Sequence, residues 1–70
     1  MKSHKSTRTG VYYRIDCMNY IVSGLYPASE FDGDRDAEAH AANYEATLTK
    51  LTFDNGRMIS SVVIYDPREH

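Results

Sequence analysis

The chain is poor in the residues that mark a specialised chemistry. It holds one cysteine, Cys17, in 70 residues. No internal disulfide can form, whereas a secreted chain this short would lean on several. Tryptophan is missing, and the four glycines are scattered at Gly10, Gly24, Gly33 and Gly56, so no Gly-rich phosphate loop is present. No apolar run approaches the length of a membrane span. The opening Met-Lys-Ser-His-Lys-Ser-Thr-Arg-Thr-Gly has no apolar stretch of the signal-peptide kind, and no Asn-x-Ser/Thr sequon or lipidation motif occurs. These absences predict a cytoplasmic protein with no membrane segment.

What is present fits one small folded domain. The chain is 41% hydrophobic and 26% charged, with six tyrosines and two phenylalanines, too apolar for a disordered segment. At this length only about 60% of the unfolded surface can be buried. The net charge of −2 conceals an asymmetry. Residues 1–14 carry Lys2, Lys5, Arg8 and Arg14 and no acid, whereas residues 27–46 carry Glu30, Asp32, Asp34, Asp36, Glu38 and Glu45 against Arg35 alone. A nucleic-acid binder is usually basic across its whole footprint; here only the arm is.

Along the chain, residues 1–9 read as a flexible basic arm, 10–67 as a single α+β domain and 68–70 as a tail. Val11 to about Asp16 is a strand by residue type, and Asp16-Cys17-Met18-Asn19 suits a tight turn. Tyr20 to Tyr26 returns as a second strand, ended by Pro27. A loop containing Gly33 leads to a helix with Asp34 as its N-cap and Asp36 and Glu38 near its positive end. Ala37, Ala41 and Tyr44 fall on one helical face. The same spacing continues to Leu48 and Leu51, which would give ββαβ with a longer helix. Against that, Thr47 to Phe53 holds three threonines and precedes Asp54-Asn55-Gly56, a strong hairpin signal. The hairpin is favoured, with the helix ending near Asn43, so the predicted fold is ββαββ: an antiparallel sheet with one helix.

One mismatch dominates the pattern. Val62-Val63-Ile64-Tyr65, Tyr12-Tyr13 and Tyr20-Ile21-Val22 each put bulky side chains on both faces of a strand. A half-buried strand should alternate apolar with polar. One short helix with an alanine face covers only one side of a sheet. The surplus predicts a contact face for a second copy or another protein, with Tyr12, Tyr20, Tyr26, Tyr65, Met58 and Val63 as its residues. Some of these are expected to serve the core instead. An exposed edge strand offers a second route to a partner, and a homodimer is one form the contact can take.

The candidate chemistry is weaker. Asp32-Gly33-Asp34-Arg35-Asp36-Ala37-Glu38 opens like a calcium loop, but Ala37 stands where the sharp turn needs glycine, and Asn43 where a bidentate glutamate belongs. An acidic first helical turn explains the same residues. His40 follows Asp36 by four positions, yet no nucleophile accompanies the pair. Zinc would need more ligands than Cys17 and His40. No catalytic, cofactor or metal site is therefore predicted.

Size, the polar arm, the acidic loop and the lack of enzyme motifs are similar to phage or mobile-element accessory proteins of the anti-CRISPR or anti-restriction type, which bind and inhibit a host complex. In that analogy Glu30, Asp32, Asp34 and Asp36 would meet a basic surface on a nucleic-acid-handling target. The alternative is a small nucleic-acid-binding or regulatory protein, with Lys2, Lys5, Arg8 and Arg14 on phosphates and a tyrosine face stacking bases.

Overall fold

In the computed structural model the described residues are 8–18 and 22–69. They form β1 (Gly10–Asp16), β2 (Gly24–Pro27), a 3-10 turn at Ala28–Glu30, α1 (Asp34–Asn43), β3 (Thr47–Asp54), β4 (Arg57–Tyr65) and a closing 3-10 turn at Pro67–Glu69. The four strands make one antiparallel sheet in the order β2-β1-β3-β4. This is the ββαββ arrangement, with the two hairpins joined through their first strands.

The second hairpin follows its turn signal closely. Asn55 and Gly56 both take positive φ, 56° and 84°, the pairing that a two-residue turn needs to match strand twist. The first hairpin departs from expectation. Ile15 pairs with Gly24, so the connection is longer than the three residues expected, and β2 is four residues rather than seven. Ser23 shows why. Its Oγ accepts from the Cys17 amide at 3.1 Å and donates to the Cys17 carbonyl at 3.0 Å, so a side chain meets the backbone groups that a ladder partner would have met. Tyr20 and Ile21, expected to open β2, lie outside the described residues.

Helix α1 also starts differently. Gly33, with φ 96°, is the N-cap, and Asp34 is the first helical residue. Asp36 instead reaches back to accept from the Asp32 amide at 2.9 Å, tying the residue just ahead of the N-cap to the first turn. The helix stops at Asn43. The Ala46 amide donates to the Ala41 carbonyl at 2.9 Å and the Glu45 amide to Ala42 at 3.1 Å. Glu45, at φ 52°, takes the left-handed position that glycine usually fills. This closure turns the chain into β3 and excludes the longer helix.

The core lies between α1 and one face of the sheet. Tyr13, Ile15 and Leu48 from the strands meet Ala37, Ala41 and Ala46. Alanine lets the helix approach closely but contributes little area. Ile15 and Leu48 are the largest fully buried side chains, each worth about 1.5–3 kcal/mol of transfer free energy. Phe31 adds an edge-on contact to Tyr13 at 5.5 Å and another to Tyr26 at 6.1 Å. No helix among the described residues is long and apolar enough to cross a membrane.

Candidate protein-binding face

Strand register sorts the side chains. Tyr13 and Ile15 point to the helix, so their neighbours Tyr12 and Arg14 point away. Leu51 stands opposite Tyr12 on the same outer face, Leu25 opposite Arg14, and Val63 opposite Thr49. Phe53 sits beside Tyr12 with its ring edge-on at 5.5 Å, and Met58 faces Phe53 across the last hairpin. The outer face thus carries Tyr12, Leu51 and Phe53 at its centre and Leu25, Met58 and Val63 toward its margins. Among the described residues no helix lies over it.

Arg8 covers part of the centre. Its guanidinium lies 5.1 Å from the Tyr12 ring centroid and 5.4 Å from that of Phe53, a cation–π arrangement on two rings. The Arg8 carbonyl accepts from the Gly56 amide at 2.7 Å, and Thr9 Oγ1 accepts from Asn55 at 3.1 Å. The end of the expected arm therefore ties to the second hairpin. Lys2 and Lys5 lie outside the described residues, as does Tyr20. Arg14 is exposed on the outer face.

Two of the expected contact tyrosines serve the core. Tyr26 stands opposite Tyr13 on the helix side, and its hydroxyl donates to the Val22 carbonyl. Tyr65 stands opposite Leu48 and packs against the core cluster. For Tyr65 the bulges in β4, between the partners of Leu48 and Thr49 and of Thr52 and Phe53, hide the alternation in the sequence; Tyr26 lies in β2 and takes its face from its pairing with Tyr13.

The acidic segment divides in two. Asp34 is half exposed but tied to the domain's own groups: the Tyr13 hydroxyl donates to it, and Lys50 Nζ lies 3.2 Å away. The Tyr13 bond first, and Lys50 after it, hold the Asp34 carboxyl below its ordinary range. Burial, with Asp34 beside it, pushes the Tyr13 phenol up to about 12. Asp36 is engaged by the Asp32 amide. Glu30 and Asp32 present exposed side chains, so they are the acids of this set best placed to act outward. His40 packs its ring on Phe31 at 5.6 Å and on Tyr44 at 5.3 Å, a contact that the Asp36 spacing did not signal. Among the described residues no group of three His, Cys, Asp or Glu is placed to hold a metal.

The residue that sequence reasoning missed is Phe53. Its position three residues before the Asn-Gly glycine places it one rung before the last pair of the hairpin, Asp54 with Arg57, and alternation with Leu51 gives its face. No protein family model, curated protein sequence or solved structure matches this chain.

Proposed function

We propose that this domain works without catalysis, by binding another protein through the outer face of its sheet. The observation that carries the reading is the exposed apolar margin of that face, Met58 at 54% and Val63 at 58% exposure, beside a Tyr12, Leu51 and Phe53 cluster that Arg8 partly covers. Aromatic rings with an apolar surround are favoured at interface centres. Glu30 and Asp32, exposed in the segment before α1, add negative charge that would speed encounter with a basic surface. A host complex that handles nucleic acid presents such a surface, which fits an accessory inhibitor of the anti-CRISPR or anti-restriction kind.

The test compares proteins retained from the native host by the parent domain, by Val63→Asp and by Glu30→Gln/Asp32→Asn. The reading expects a specific partner lost with Val63→Asp and bound more slowly, with weaker salt dependence, by the double variant. Equal retention by the parent and Val63→Asp would refute it.

A second reading draws on Arg8 over the Tyr12 and Phe53 rings, with Arg14 on the same face. Cations beside aromatic rings suit single-stranded nucleic acid. Filter binding of labelled oligonucleotides at low salt, with Arg8→Ala and Arg14→Ala, separates the two. Parent affinity that collapses in the variants favours nucleic acid, and absence of oligonucleotide binding removes this reading.

A further inference from the structure

The sheet has two unlike edges. β2 is four residues long and ends in Pro27, a short edge of the kind that resists pairing. β4 is nine residues long, and after Arg57 it contains neither charge nor proline through Tyr65. Ile59 and Val62 are 60% and 56% exposed, as open as Met58 and Val63. Among the described residues no strand lies beyond it. Exposed edges normally carry a lysine, a proline, an inward charge or a bulge to block pairing; β4 has bulges near its two ends, and the stretch Ser60 to Val63 between them has none of these.

We infer that β4 pairs antiparallel with β4 of a second copy about a two-fold axis through Ser61, joining two sheets into one of eight strands. Three features of the strand select a second copy. First, the axis matches faces. Ser61 meets its own image on the outer side, and Ser60 meets Val62 of the second copy on the helix side, as strand alternation requires. Second, sizes complement: Ser60 lies against Val62 and Ser61 against Ser61, while Ile59 lies across from Val63. Third, like charges separate. Antiparallel pairing holds the two Arg57 side chains at opposite ends of the seam; parallel pairing would bring the two arginines together. Among the described residues the assembly leaves only the two short, proline-ended β2 edges exposed. It pairs the backbone of the edge and shares Val63 with the margin of the outer face, so the Ser61 variants, and not Val63→Asp, test it apart from the binding proposed above.

Two measurements test it. In sedimentation equilibrium the parent should behave as a reversible dimer. Ser61→Lys, which sets like charges directly across the axis, should raise the dissociation constant at least about tenfold. In a Cys17→Ser background, Ser61→Cys should form an intermolecular disulfide under mild oxidation, since directly opposed residues lie within disulfide reach. Met58→Cys in the same background should not, because three residues from the axis puts its image about 20 Å away. Circular dichroism confirms that each variant folds. A parent that stays monomeric through its soluble concentration range, or equal cross-linking by the Ser61 and Met58 cysteines, would overturn the inference.

Discussion

Replacing Tyr13 by Phe tests the internal account of the acidic segment. The ring is 2% exposed and edge-on to Phe31, so phenylalanine keeps the packing and removes only the hydroxyl. That hydroxyl donates to Asp34, a carboxylate half open to solvent and also paired with Lys50. A hydrogen bond to a charged acceptor contributes about 1.5–3 kcal/mol. Water and Lys50 replace part of it here, so the expected loss is about 1 kcal/mol. For a domain of this size that is a melting temperature lower by about 4–8 °C. The pH dependence is more diagnostic. Asp34 has its folded pKa below the ordinary 3.8, so its contribution is present above that value and fades as pH falls through the lowered one. Tyr13 has its folded pKa raised from 10.0 to about 12, so its contribution is present below 10 and fades as pH rises through about 12. The gap between parent and Tyr13→Phe should be widest near neutrality and should narrow at both extremes. Urea unfolding followed by far-ultraviolet circular dichroism at a series of pH values measures it. A gap that stays constant from neutral pH to well below 3.8 would refute the hydrogen bond to ionised Asp34.

Glu45→Gly should stabilise by about 0.5–1 kcal/mol, because φ 52° suits glycine better than glutamate; a lower melting temperature would argue against the helix closure at Ala46. Ser23→Ala should cost about 1 kcal/mol by freeing both backbone groups of Cys17, visible as faster amide exchange at Cys17. Leu48→Ala, at a fully buried site under α1, should cost about 2–5 kcal/mol. That is a large share of the stability of so small a domain, and chemical denaturation should show a partly or wholly unfolded population in buffer.

Where local chemistry decides the structure, the residues announce it. Asn55-Gly56 specifies its own turn, and three threonines with that turn outweigh a helical spacing that runs on to Leu51. Ala37 and Ala41 place the inner face of α1 correctly. Two local failures share one cause, which is a side chain finding a distant partner. Asp34 suits an N-cap in isolation, but Tyr13, 21 residues away, takes its carboxylate and leaves the cap to Gly33. Ser23 closes the first loop by reaching six residues back, which no turn preference encodes. The contact face is legible as a surplus of apolar residues. Its membership is not, because two bulges in β4 break the alternation that would place Met58, Val63 and Tyr65.

The thin core bears on how the outer face should be probed. An alanine helix face leaves Tyr13, Ile15 and Leu48 to supply most of the buried area beneath α1. Leu51, on the opposite side, is nevertheless only 8% exposed. It is shut in by its own face, where Tyr12 and Phe53 stack under Arg8. This second cluster therefore contributes to stability as well as to any contact. Substituting Tyr12, Leu51 or Phe53 would weaken folding and binding together, and a lost partner would then carry no information about the face. Val63 and Met58 lie at the margin, half exposed on an edge strand, where a polar replacement removes little intramolecular contact. A binding surface built over a structural cluster is informative at its margin first, and the centre becomes interpretable only once stability is measured alongside.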